Sequence, residues 1–234
     1  MSNSRRGQMV IVAATSDRSP LERVRGAFAA TAIAEYFRDR GKNVLLVLDS
    51  LTRFAMALRE LGLALGEMPA TKGYPPSVFA ALPRLLERAS PRADGGSITG
   101  FYTVLVEGDD LSDPVADSAR SLLDAHIVLS RELAARAHFP AVDVLASASR
   151  VARRVVAPNE FRIATRAREV LSLRRQASEL QALGAYTPGV NPSFDNALAA
   201  GVRLDAWACQ APYEPSTHAD AIKGLAIAVG EELK

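Results

Sequence analysis

An aspartate that closes an apolar strand, Asp49 after Val44-Leu45-Leu46-Val47-Leu48, stands at the carboxyl end of that strand, where the crevice of an α/β sheet opens. Magnesium needs few carboxylates there, because water and phosphate oxygens complete its shell. Aspartate also caps the helix that follows a strand, and the pattern alone leaves both readings open. The second half of nucleotide chemistry is a glycine-rich phosphate loop, GxxxxGKS/T. These 234 residues contain none, and Gly41-Lys42 precedes a strand and lacks the Ser/Thr that should follow. His126, His138 and His218 have no metal-ligand spacing among themselves and read as structural. Asp109, Asp110 and Asp113 in GDDLSDP depart from the order of a calcium loop and read as turn and capping residues. No serine stands in GxSxG, so a hydrolase triad has no support. From Arg131 to Arg175 ten arginines accompany four acids, an excess of six that suits either a solvated helical face or an anion-facing or interface surface.

The elements that would carry these residues alternate. Met9–Ala14 reads as a short buried strand, followed by a helix with Ser19 as N-cap, Pro20 in its first turn and Gly41 past its end. Val44–Leu48 is a continuous branched run of the kind covered on both faces in a parallel sheet. Helices are expected over Leu51–Leu63, Ser77–Arg88 and Val115–Leu123, with strands at Ser97–Val106 and Ala125–Leu129. Five Gly and Pro residues between Gly66 and Pro76 impose a shaped loop. Alternation of this kind implies a parallel sheet with right-handed crossovers up to about residue 155. Beyond it the pattern is helical, over Phe161–Leu183, Asn191–Ala208 and Thr217–Glu231.

Composition narrows the class further. With 48% hydrophobic and 23% charged residues and a mean hydropathy of +0.04, the chain suits a globular protein and not a disordered or collagen-like one. One cysteine, Cys209, cannot form a disulfide within the chain, which favours a reducing cytoplasm. No run of 18 apolar residues occurs, and the first residues lack the apolar core and cleavage site of a signal peptide. A formal charge of +2 makes no global case for nucleic acid.

In order and spacing, several segments resemble the ATPases of bacterial type III secretion, flagellar and injectisome, which are relatives of the catalytic subunit of rotary ATP synthases. They are VIVAATSDRSP, AEYFRDRGKNVLLVLDSLTRFAMALRE, TKGYPPSVFAALPRLLERA, GSITGFYTVLVEGDDLSDPVAD and LLDAHIVLSRELAARAHFPAVDVLASASR. The resemblance covers nearly the whole chain and is strongest over residues 9–151. It implies a RecA-like α/β core over 1–155, mostly parallel, flanked by helices and incomplete at its N-terminal side, then a small all-α domain over 156–234. Asp49 matches the Walker B aspartate, which holds magnesium through water. Arg53, in DSLTRF, matches an arginine close behind that site. Arg150, in VLASASR, matches the arginine finger that reaches a neighbouring subunit's nucleotide, an element worth roughly 10³ to 10⁵ in rate. Phe139, in HFPAVD, matches an aromatic laid against adenine; as a bare sequence feature it reads as core packing.

The resemblance further implies Mg-ATP as substrate in the complete enzyme and a homo-hexamer with stator and stalk proteins, chaperone–substrate complexes and an inner-membrane export gate as partners. The setting would be cytoplasmic, peripheral at the base of the secretion apparatus, with no nucleic acid. Family members also carry a β-barrel, a phosphate loop and a GERGRE-type segment before the point matched by Met9–Ala14. The chain is therefore expected to be the C-terminal half of such an ATPase, inactive in isolation. Two other readings stand beside it: a truncated paralogue that acts by binding ATPase subunits or chaperones, and another RecA-like hexameric motor.

Overall fold

Ser19 and Glu22 cap one another: the Glu22 amide donates to Ser19 Oγ at 3.3 Å, and the Ser19 amide donates to Glu22 Oε2 at 3.0 Å. With Pro20 in the first turn, where its missing N–H costs nothing, this box starts α1 (Pro20–Arg38) at the place its sequence signals. Gly41, at φ +72°, then turns the chain into β1 (Asn43–Leu48). The computed structural model describes residues 7–110 and 112–231. They fall into two units, Met1–Leu123 and Asp124–Lys234.

In the first unit β1 leads into α2 (Leu51–Ala64) and α3 (Pro76–Leu86), and the chain returns as β2 (Ser97–Tyr102) before α4 (Pro114–Leu122). β1 and β2 pair in parallel, from Asn43 opposite Ser97 to Leu48 opposite Tyr102. Helices α1 to α4 bury a core built on Leu51, Phe54, Leu82 and Leu85, with the Phe28 and Phe54 rings edge-on at 5.7 Å. Truncating one of the fully buried leucines to alanine costs about 2–5 kcal/mol. Asp113 caps α4, accepting from the amides of Val115 and Ala116, which is the capping role read from GDDLSDP. Leu111 lies outside the described residues.

Two strand expectations are corrected here. Met9–Ala14 forms no strand: Val10 and Ile11 are 57% and 75% exposed, and no strand among the described residues lies alongside to complete a ladder. β1 is covered on one face only. Leu46 and Leu48 are buried against the helices, whereas Leu45 and Val47 remain 63% and 62% exposed.

The second unit opens with β3 (Ala125–Leu129), the short α5 (Arg131–Ala135) and β4 (Val142–Ser149), followed by α6 (Ala152–Val155) and three longer helices, α7 (Pro158–Ala182), α8 (Pro192–Ala208) and α9 (His218–Val229). Here the alternation rule misleads, because β3 and β4 pair antiparallel. A five-residue helix rises only about 7 Å, too little to return the chain along a strand of about 16 Å. Ile163, Ala167 and Val170 of α7 pack with Ala197, Ala200 and Leu204 of α8 and with Leu225 and Ala226 of α9. At the tightest point Gly201 admits Arg174, and a Cβ on that glycine would meet Arg174 Cδ at 2.2 Å. No helix of the described residues is long and apolar enough to cross a membrane.

Candidate functional site

The end of β1 is a corner held by threonine and serine. Thr103, one residue beyond β2, donates its hydroxyl to Asp49 Oδ1 at 2.7 Å. Its amide donates to Leu48 O at 3.1 Å, and its carbonyl accepts the Leu51 amide at 2.8 Å. Ser50, 3% exposed, caps α2 by accepting the Arg53 amide, so the helix-capping role falls to Ser50 and not to Asp49. Thr52 closes the corner by exchanging bonds with Leu105, at 3.2 Å to its carbonyl and 2.8 Å from its amide. The Asp49 carboxylate is left exposed at the strand end, oriented by one hydroxyl.

Asp49 and Arg53 line one cleft of about 140 Å³ together with Val12, Ser16, Arg23 and Leu48. Arg23 donates through Nη2 to both Glu60 oxygens, at 2.9 and 2.7 Å, while its Nε is buried without a partner among the described residues. Asp49 and Thr103 offer oxygen donors of the kind a hard cation takes, and no group of three His, Cys, Asp or Glu gathers among the described residues. One carboxylate with room for water and phosphate oxygens fits magnesium better than calcium or zinc. Sequence reading missed Thr103, fifty-four residues from Asp49. The β1–β2 register supplies the signal, since continuing it one step past Leu48 and Tyr102 sets Asp49 opposite Thr103.

Phe139 and Arg150 belong to the second unit, at opposite ends of β4. Phe139 is 54% exposed, so it is not core packing. Its carbonyl accepts the Gln210 amide at 2.9 Å, and beside it His138 Nδ1 lies 3.4 Å from Cys209 Sγ. Arg150 is exposed just beyond β4, its amide donating to Asp124 O at 3.0 Å. Ser149 Oγ accepts the Ala152 amide at 3.2 Å and starts the turn into α6.

The arginine-rich tract is largely spent on internal partners. Arg136 pairs with Glu132, Arg162 with Glu231, Arg166 with Glu169, Arg174 with Asp205 and Arg175 with Asp143. A cleft of about 800 Å³ in this unit is lined by several of the same arginines, already committed in this way. Arg174 donates to Asp205 at 2.8 and 2.6 Å and holds that carboxyl below the usual carboxylate range.

The chain is similar to known proteins over most of its length. The model of the ATP synthase alpha/beta family nucleotide-binding domain matches residues 2–149, and that of the T3SS EscN ATPase C-terminal domain matches residues 156–226. A flagellum-specific ATP synthase from Treponema pallidum is 52% identical over 221 residues, covering 94% of this chain and 49% of the relative. Among solved structures, the assembled ATPase EscN of the enteropathogenic E. coli type III secretion system superposes with a TM-score of 0.88 at 48% identity, over 92% of this chain and 52% of EscN. The same ATPase in complex with its central stalk EscO gives a TM-score of 0.82 at 46% identity, over 92% and 51%. The chain thus spans about half the length of the curated relatives it matches.

Proposed function

Because this chain belongs to the ATP synthase alpha/beta family, in its type III secretion ATPase branch, we propose that it contributes the magnesium-side strand and the arginine finger of an ATPase that energises protein export. The observation that carries this reading is the Asp49 carboxylate, presented at the carboxyl end of β1, oriented by Thr103 and sharing a cleft with Arg53. Asp49 would hold magnesium through the cation's water shell. Thr103 keeps that carboxylate in one orientation, and Arg53 stands behind it as a positioning contact. Phe139 offers an exposed ring for an adenine face. Arg150 reaches the nucleotide of an adjacent subunit, where its guanidinium stabilises charge on the transferring phosphoryl group. Magnesium bound there with ATP would neutralise part of the phosphate charge.

Phe139 and Arg150 stand at opposite ends of β4, which favours their service at different nucleotides and hence a ring in which the finger acts between copies. We take that ring to be a homo-hexamer on a stalk, as a stalk complex of EscN invites. Stator proteins, chaperone–substrate complexes and the export gate complete the proposed partners, at the cytoplasmic base of the secretion apparatus. The two family matches support a boundary near residue 155 between the nucleotide-binding part and the helical part.

The test is Asp49→Asn in the assembled enzyme that contains these residues. Magnesium-dependent turnover should fall by at least about a hundredfold with assembly intact. Unchanged turnover would remove Asp49 from the site.

A further inference from the structure

The strand that ends at Arg150 is not a plain ladder. β4 pairs with β3 at Val142 and Asp143, opposite Leu129 and Val128, and again at Ala148 and Ser149, opposite His126 and Ala125. Residues 144–147 therefore stand against Ile127 alone. A ladder cannot satisfy the backbone of such an excursion, so its polar groups must find other partners.

They find them in the same unit. The amides of Leu145 and Ala146 both donate to Asp143 Oδ1 at 2.9 Å. Ser147 Oγ donates to Asp143 O at 2.6 Å and accepts the Val128 amide at 2.9 Å, while Ala146 O lies 3.1 Å from His126 Nε2. The other three carbonyls go to one side chain. Arg168, on α7, donates Nη1 to Val144 O at 2.6 Å and to Ser147 O at 3.1 Å, and Nη2 to Leu145 O at 3.3 Å. A planar guanidinium fixes three acceptors in one mutual geometry, which an ammonium on a flexible stem cannot do. The side chain is exposed, so on its removal water can take over the carbonyls and little stability is lost. What is lost is the shape of the excursion.

The residues that follow it are Ala148, Ser149 and Arg150. Arg150 is pinned on one side by the hydrogen bond from its amide to Asp124 O, and on the other by the ladder pairs of Ala148 and Ser149, whose register against β3 the excursion sets. We infer that Arg168 is a positioning residue for Arg150: by clamping the carbonyls of Val144, Leu145 and Ser147 it fixes the strand end from which the finger leaves. This rests on Arg150 acting at a neighbour's nucleotide, as proposed above.

The experiment compares R150A, R168A, R168K and the double variant R150A/R168A in the assembled enzyme, reading kcat, KM for ATP and thermal midpoint. R150A should abolish turnover. R168A should lower kcat about tenfold or more, with KM within about twofold and the midpoint nearly unmoved, and R168K should fall between it and the parent. The double variant should be no slower than R150A alone, because both changes remove one function. Normal turnover in R150A would overturn the finger reading and this inference with it. An inactive R150A beside an unimpaired R168A would overturn this inference alone. Should R168A lose stability, amide exchange in R168K decides: faster exchange confined to residues 144–150 supports positioning, and faster exchange spread through α7 and α8 assigns Arg168 a structural role and overturns it.

Discussion

A single hydroxyl orients the residue on which the proposed chemistry turns. The Asp49 carboxylate projects beyond its strand, and the 2.7 Å bond from Thr103 selects one orientation for it at little energetic cost. Thr103→Val keeps the shape and the β-branched stem but removes the donor. Turnover at saturating magnesium should then fall by about tenfold, less than for Asp49→Asn, and the magnesium concentration for half-maximal rate should rise. A magnesium titration of initial rates measures both; an unchanged curve would mean that Asp49 needs no orienting partner. The place of Asp49 at a strand end was legible, because an apolar strand ending in aspartate can be read from one segment. Thr103 was not, because its place depends on how two strands fifty residues apart come into register.

Elements announced by their own caps were legible in the same way. Ser19-Pro20 and Asp113-Pro114 begin helices as read, and the helices expected from Asn191 and Thr217 prove to be capped by those residues. What failed was pairing. Met9–Ala14 has the residues of a strand and no neighbour among the described residues to pair with, and β3 with β4 reverses the parallel order that alternation suggested. Both properties belong to two segments at once, and no local pattern carries them. The β4 excursion is of this kind too, since it exists only against β3.

Between helices, the α7–α8 contact rests on a glycine that makes room for an ion pair. Gly201→Ala should destabilise the protein by about 1–3 kcal/mol, since the new methyl displaces Arg174 from Gly201 O and Asp205, and the thermal midpoint reports it. Acid should act on the same pair. The Asp205 carboxyl is held low by the Arg174 guanidinium, so the stability it contributes is full above the ordinary carboxylate value and is lost as pH falls through the lowered one. The stability difference between the parent and Arg174→Met should therefore shrink as pH drops below about 4. A difference constant from pH 7 to pH 2 would show that the pair contributes through packing alone.

At the scale of the whole molecule, one strand separates two kinds of work. Phe139 precedes β4 and Arg150 follows it, and Asp49 belongs to a different unit of the chain. In the ring proposed above, each subunit would bind a nucleotide with its own Asp49 and complete the next subunit's site with its own Arg150. The claim that the finger acts between copies is tested most directly by mixing. Enzyme carrying Asp49→Asn and enzyme carrying Arg150→Ala are each expected to be inactive, and they are dissociated, combined and reassembled. Where an Arg150→Ala subunit sits beside an Asp49→Asn subunit in the right order, an intact Asp49 meets an intact Arg150. ATP turnover well above either parent, rising and falling with the mixing ratio, is the expected result; turnover no greater than the sum of the two inactive parents at every ratio would contradict it.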